Sequence, residues 1–228
     1  MKNIKNKNRE KAKASDLILV YKKLKQEFGF RNWWPGDTKL EIFLGTILTQ
    51  QTSWKNVEKA IENIKQNKAL NFNYILTCDL KDFEKLINNI SFYKQKAKYI
   101  KNIFYFISIN YNSLENLFKL DKEELRKILL SMNGVGNETA DSIILYCAEK
   151  PKFVIDAYTK RIMHRVFGIN KNINYNELQK YFENNLKTNL NLYKDFHAQF
   201  VELGKNYCKT KPICSACPLD LICKKNII

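Results

Sequence analysis

Residues 129–140 read LLSMNGVGNETA, a glycine-containing turn between two amphipathic segments. Apolar residues recur at helical spacing before the turn, and they continue after it at Ala140, Ile143, Ile144 and Cys147. Gly134 and Gly136 lie in the turn. Glycine permits positive φ and a close approach to the backbone, and the free N–H groups that begin the second helix favour an anion. The turn is therefore either an ordinary helix connection or a phosphate-binding hairpin.

Apolar residues also follow helical spacing elsewhere, within residues 17–28, 40–48, 54–64 and 196–203. No stretch of strict alternation is long enough to require a strand, and the apolar run at residues 153–155 is too short to count as one. The sequence therefore predicts an all-α fold.

The 228-residue chain carries 39 Lys and Arg against 23 Asp and Glu, a net charge of +16. Its length suits one large domain or two small ones, and 45% hydrophobic residues suffice for a buried core. The positive surplus favours a nucleic acid partner, although the same charge also serves solubility.

The first 14 residues are basic, and no apolar stretch follows them. This pattern predicts a mobile basic arm and not a secretory signal. No segment reaches the roughly 20 apolar residues of a membrane span, so we expect no membrane partner and a cytoplasmic protein with reduced thiols.

Four cysteines crowd the end of the chain with the spacing C-x5-C-x2-C-x5-C: Cys208, Cys214, Cys217 and Cys223. Four thiols this close in a reducing compartment favour a metal site over disulfides. The spacing alone fits zinc and a [4Fe–4S] cluster about equally.

A carboxylate, Asp156, stands between the apolar run and a basic segment that begins at Ala157. Aspartate is a good N-cap, so Asp156 is expected to cap a helix. That role does not exclude chemistry at the same carboxylate.

These features together resemble the endonuclease III-like helix-hairpin-helix (HhH-GPD) DNA glycosylases, over about residues 15–225. The resemblance implies two helical domains flanking a DNA-binding cleft, with Gly134 and Gly136 contacting phosphates. We expect a six-helix domain at residues 29–149, with the hairpin at about 122–148. A second domain is expected from residues 1–28 plus 150–228, ending in an iron–sulfur loop at 208–223.

The resemblance also assigns chemistry. It makes Asp156 the catalytic carboxylate, which stabilises an oxocarbenium-like sugar or orients the attacking water. Bifunctional members carry a nucleophilic lysine two residues after the second hairpin glycine, where this chain has Glu138. A carboxylate forms no imine, so a monofunctional enzyme without AP lyase activity is expected. Glu138 also suits the first turn of a helix.

Three segments resemble the methylpurine branch of the family, which removes 3-methyladenine: Trp33-Trp34-Pro35, residues 48–60 and residues 155–159. An alkylated purine is cationic and stacks well on aromatic rings. Trp33, Trp34 and Glu138 are therefore assigned to the base pocket. The two tryptophans could equally be core anchors.

By the same resemblance, Gln51 fills the gap left by the flipped base and Phe92 wedges into the DNA stack. Either residue could instead be a plain loop residue, and Phe92 could also be a core residue. Lys94, Lys96 and Lys98 are expected to line a surface that contacts the DNA backbone.

The resemblance favours a structural [4Fe–4S] cluster on the four C-terminal cysteines. The implied partner is double-stranded DNA with a damaged base, bound by a monomer that would be nucleoid-associated in a prokaryote. Three alternatives remain: an endonuclease III-like glycosylase for oxidised or mismatched bases, with or without AP lyase activity; a non-catalytic iron–sulfur DNA-binding module; and an electron-transfer protein.

Overall fold

The structure, a computed structural model, describes residues 14–227. Within that range it contains helices and loops and no β-strand, so the predicted all-α fold is confirmed. The predicted basic arm lies outside the described residues, except for Ala14. No helix between residues 14 and 227 is long and apolar enough to cross a membrane.

The chain forms two compact units. We call residues 32–154 the central unit, and residues 14–31 with 155–227 the terminal unit. The domain expected at residues 29–149 begins three residues before the central unit and ends five residues before that unit ends.

The central unit, described throughout, has eight α-helices and a π-helical segment: α2 (Lys39–Leu48), α3 (Trp54–Gln66), α4 (Phe72–Thr77), α5 (Leu80–Leu86), α6 (Tyr93–Tyr111), α7 (Leu114–Lys119), α8 (Lys122–Ser131), α9 (Asn137–Ser142) and the π segment (Ile143–Cys147). The expected count of six helices is wrong. Helices α4, α5 and α7 have only six or seven residues, which is too short for a hydrophobic period to reveal. Each begins instead at a side-chain cap, on Asn71, Asp79 and Ser113 respectively.

The core of the central unit is formed by apolar faces of these helices. Helix α2 packs against the π segment, and α6 packs against α4 and α5. Phe43 of α2 and Phe104 of α6 meet edge to face with ring centroids 6.0 Å apart, and both are fully buried. The predicted stripe on α2 is thus the buried face of that helix.

The predicted hairpin is α8, the turn and α9. Arg126 of α8 binds the buried Asp141 of α9 through two contacts, Nε to Oδ1 at 2.7 Å and Nη2 to Oδ2 at 3.2 Å. The same guanidinium donates to Asn137 Oδ1 at 2.9 Å. This forked ion pair holds the two helices of the hairpin together.

The terminal unit has four α-helices among its described residues: α1 (Ala14–Phe28), α10 (Ala157–Phe167), α11 (Tyr175–Asn185) and α12 (Leu190–Asn206). Helix α12 packs against both α1 and α10. Its fully buried Asp195 accepts from Tyr21 Oη at 2.7 Å and from Arg31 N at 2.8 Å. A buried carboxylate needs such donors, and here they join α12 to the N-terminal helix.

The two hairpin glycines differ in whether their position can accept a side chain. Gly134 has φ +86°, and a Cβ there would overlap the ring of Tyr99, whereas Gly136 has φ −91° and open space around a Cβ. We expect Gly134→Ala to lower the free energy of unfolding by about 2 kcal/mol or more, because it adds backbone strain to a steric clash. Gly136→Ala, the matched control, is expected to leave it nearly unchanged. Urea denaturation of both variants measures this, and equal stabilities would contradict it.

Candidate functional site

Asp156 lies at the start of α10, where it caps the helix as the sequence predicts. Its Oδ1 accepts from Thr159 N at 2.6 Å, and the residue is 8% exposed. The positive end of the helix dipole therefore faces this carboxylate.

His197 of α12 is the second partner of this carboxylate. Its Nε2 lies 3.6 Å from Asp156 Oδ2, and the histidine is also buried. Burial raises the pKa of Asp156, but the contact with His197 and the hydrogen bond from Thr159 lower it further, and the net pKa lies below the usual range of aspartate. The carboxylate is therefore ionised at neutral pH and ready to stabilise positive charge or accept a proton.

Sequence reasoning missed His197. It is one of two histidines in the chain, and it stands 41 positions after Asp156 (197 minus 156). Its place on the buried face of α12 was the one available signal, and a lone histidine on such a face is ordinarily structural.

Two arginines join α10 to the cysteine loop at residues 208–223. Arg161 Nε donates to Cys208 O at 2.8 Å, and Arg165 Nη1 donates to Lys209 O at 2.6 Å. Arg165 also lies 3.4 Å from Cys208 Sγ. These bonds fix the first part of the loop against the helix that Asp156 begins.

The four loop cysteines line one small cavity, together with apolar side chains and the charged Arg165, Asp220 and Lys225. Burial, followed by the charges of the other three cysteines, raises the pKa of Cys217 to about 11. Four thiols this close would repel one another as thiolates, so all four can ionise together only with a positively charged group among them. Between residues 14 and 227, no three His, Cys, Asp or Glu side chains converge as they would around one metal ion. The fit of a cluster therefore rests on the shared cavity and on the chemistry of four thiols as ligands for iron.

Trp33 and Trp34 belong to an aromatic cluster in the central unit. Their ring centroids are 5.6 Å apart, and each lies 5.5 Å from that of Trp54, at the start of α3. Trp34 also lies 5.6 Å from Tyr146 of the π segment. Both predicted residues are half-buried, so they anchor the unit and still present a surface.

A cavity of about 570 Å³ opens beside this cluster, within the size range of ligand pockets. Trp34, Pro35 and Trp54 form part of its wall, and Glu58 and Lys59 add polar groups. Trp54 was missed as a site candidate, because its helical spacing with Val57 and Ile61 suggested an ordinary core stripe.

Gln51 and Phe92 are both exposed, and both have left-handed backbone conformations, with φ 52° and 58°. Phe92 is 68% exposed, so the alternative that it is a core residue is wrong. A large apolar side chain held in solvent by a strained backbone is typical of a functional contact.

The hairpin turn exposes Gly136, whereas Gly134 is half-buried against Tyr99. Gly136 is the exposed N-cap of α9, and nothing lies within 4 Å of a Cβ built there. Glu138 is exposed in the first turn of the same helix. Gln50 Nε2 donates to Gly134 O at 2.8 Å and to Thr139 Oγ1 at 2.9 Å, which ties the turn to the loop before α3.

The expectation that Lys96 lines a DNA-contacting surface is wrong. Lys94 and Lys98 are exposed, but Lys96 is 5% exposed, and burial lowers its pKa to about 8. The α-helix turns by about 100° per residue, so alternate residues of α6 cannot share one face.

The sequence matches one family model over residues 44–188, more than half of the chain, described as HhH-GPD superfamily base excision DNA repair protein. A candidate DNA repair glycosylase of Methanocaldococcus jannaschii is 46% identical over 209 residues, covering 91% of this chain and 95% of that protein. Endonuclease III of Sulfolobus acidocaldarius is 27% identical over 217 residues, covering 90% and 94%.

Two solved structures are also similar. A 3-methyladenine DNA glycosylase of H. pylori, bound to 1,N6-ethenoadenine, gives a TM-score of 0.73 at 27% identity, covering 85% of this chain and 98% of that one. A non-covalent endonuclease III–DNA complex gives 0.81 at 18% identity, covering 95% and 97%, and this likeness shows the fold. The family match and the close archaeal relative together show that the chain belongs to the HhH-GPD superfamily of base excision DNA repair proteins.

Proposed function

We propose that this member of the base excision DNA glycosylases is monofunctional and hydrolyses the N-glycosidic bond of alkylated purines such as 3-methyladenine. The observation that carries the proposal is the buried, ionised Asp156, held by Thr159 and His197. We further propose that the substrate is double-stranded DNA with a damaged base, bound by a monomer.

In the proposed reaction the bond between C1′ and the base nitrogen breaks, and the base takes the bonding pair. An alkylated purine is cationic before this step and neutral after it, so its departure needs no proton. The Asp156 carboxylate stabilises the positive sugar. A water oxygen then bonds to C1′, and its proton passes to Asp156 or to solvent.

The monofunctional assignment rests on Glu138. Lyase members of the family use a lysine at the matching position, and a carboxylate cannot form the imine on which that route depends. Glu138 is exposed in the first turn of α9 and does not line the cavity beside the tryptophans, so its assignment to the base pocket stays a prediction.

The substrate assignment rests on the aromatic cluster. Trp34 and Trp54 line a ligand-sized cavity, and Trp33 packs against both rings. Aromatic faces attract a cationic purine by stacking and cation–π interaction. The H. pylori relative supports this branch, since it is a 3-methyladenine glycosylase found bound to a modified adenine.

DNA contacts are assigned to two exposed residues and to the hairpin turn, all in the central unit. Gln51 would fill the space of the flipped nucleotide, Phe92 would wedge between bases, and the turn at Gly134 and Gly136 would bind a phosphate. Their exposure and the open space at Gly136 support these roles.

We propose that Cys208, Cys214, Cys217 and Cys223 hold a [4Fe–4S] cluster. When bound, the cluster would supply a rigid cross-link between distant parts of the loop and no step of the hydrolysis. Arg161 and Arg165 would keep that loop attached to α10.

A second candidate is an endonuclease III-like glycosylase for oxidised or mismatched bases. The endonuclease III of Sulfolobus acidocaldarius favours it, because that protein is 27% identical over nearly the same span. A non-catalytic DNA-binding module is disfavoured by Asp156, since a carboxylate repels DNA phosphates and has no role in binding them.

The first test is base release from alkylated DNA by the wild type and by Asp156→Asn. Asparagine keeps the N-cap acceptor for Thr159 N but loses the negative charge, so we expect release of 3-methyladenine to slow by roughly 100-fold or more while DNA binding survives. Asp79→Asn, which alters the N-cap of α5, is the matched control and is expected to retain activity.

Equal rates for the wild type and Asp156→Asn would remove Asp156 from the mechanism. Release of oxidised pyrimidines, without release of methylpurines, would support the second candidate.

Borohydride trapping tests the absence of lyase activity. We expect no covalent adduct between the wild type and damaged DNA, because no imine forms for borohydride to reduce. Glu138→Lys serves as a gain-of-function comparison on the same DNA. A trapped wild-type adduct would overturn the monofunctional assignment.

Iron and sulfide analysis tests the cofactor. We expect about four irons and four sulfides per chain, with visible absorption, and loss of both in Cys217→Ala. Cys78→Ala, at a half-buried cysteine outside the loop, is expected to keep the full content. A colourless protein with one zinc would show that the loop holds a single ion instead.

A further inference from the structure

Lys96 is a buried cation whose role the proposed reaction does not explain. Its Nζ donates to three oxygen atoms: Leu48 O at 2.8 Å, Gln50 O at 2.5 Å and Thr52 Oγ1 at 3.0 Å. An ammonium group has three N–H donors, so these contacts use all of them. The side chain reaches from α6 to the loop between α2 and α3 and fixes that loop from beneath.

Gln51 lies in this loop between two residues that each accept a hydrogen bond from Lys96 Nζ, namely Gln50 and Thr52. Gln51 itself is exposed with φ 52°. A left-handed conformation is strained for a non-glycine residue, so the surrounding structure has to maintain it. The two flanking bonds to Lys96 provide that support.

Phe92 is connected to the same lysine through the first turn of α6. Lys96 N donates to Phe92 O at 3.0 Å, and Phe92 is exposed at φ 58°. Phe92 has no side-chain capping bond of its own. This backbone bond places Phe92 one helical turn from Lys96, and the side chain of Lys96 fixes the loop that carries Gln51.

We propose that the side chain of Lys96 is a positioning group that fixes the loop of Gln51 against the start of α6, where Phe92 lies, so that both side chains enter the DNA stack in a fixed relative position. The inference rests on the proposed function, in which Gln51 and Phe92 contact DNA. It explains why a cation is buried away from the phosphates, since the loop oxygens and not DNA are its partners.

The test compares two duplexes, one undamaged and one with a tetrahydrofuran abasic analogue, each carrying 2-aminopurine beside that position. Fluorescence of 2-aminopurine rises when its stacking is broken. We expect the wild type to bind the damaged duplex more tightly and to raise its fluorescence. Lys96→Met is expected to reduce the preference for the damaged duplex about tenfold and to abolish most of the fluorescence rise.

Lys101→Met is the matched control. Lys101 lies in the same helix and donates to Leu76 O at 2.9 Å and Cys78 O at 2.6 Å, so its loss also frees two backbone carbonyls, but far from Gln51. We expect Lys101→Met to lower the melting temperature without changing duplex preference or fluorescence. Equal losses of preference in both variants would overturn the proposal, because they would indicate general destabilisation.

Thr52→Val keeps the lysine, removes one of its three acceptors and provides the test if Lys96→Met does not fold. A smaller loss of preference in the same direction is expected, and an unchanged preference would count against the proposal.

Gln51→Ala and Phe92→Ala separate this inference from the function beneath it. If they reduce preference and Lys96→Met does not, the positioning role fails alone. If neither alanine variant has an effect, the proposed DNA contacts fail and the positioning role fails with them. Base release by the same proteins shows whether the glycosylase assignment survives either result.

Discussion

The negative charge of Asp156, buried at the start of α10, requires stabilising partners from two helices of the terminal unit. Asp156 loses its water on burial, and that loss has to be offset by donors of fixed position. Thr159 N–H supplies one through the regular geometry of a helix start. His197 of α12 adds a contact at 3.6 Å that also lowers the pKa of Asp156, so the packing of α12 on α10 helps to keep the carboxylate charged.

The fold and part of the site could be predicted because their signals come from residues that are close together in the sequence. An aspartate before a helical stripe indicates an N-cap, and closely spaced cysteines indicate a shared site, because both signals are local. His197 and Trp54 gave no such signal. Their roles arise from contacts with elements tens of residues away, and alone each has the spacing of a core residue.

Lys96 shows a further limit of sequence reasoning. Lysines at alternate positions suggested one basic surface, but helix geometry directs the middle one inward, where backbone carbonyls replace water around its charge. The identity of its partners depends on a loop more than 40 residues earlier. Left-handed residues such as Gln51 are similarly invisible, because the chain places no glycine or asparagine there to mark them.

The terminal unit is built from two stretches that are far apart in the chain, with the whole central unit between them. On the ribosome, α1 emerges long before α12, the helix on which it packs. The apolar face of α1, formed by Leu17, Val20 and Leu24, lacks that partner until α12 has been synthesised. The central unit is contiguous and can complete its core first. While residues 32–154 are being synthesised, the apolar face of α1 is therefore exposed to aggregation unless a chaperone or the nascent central unit covers it.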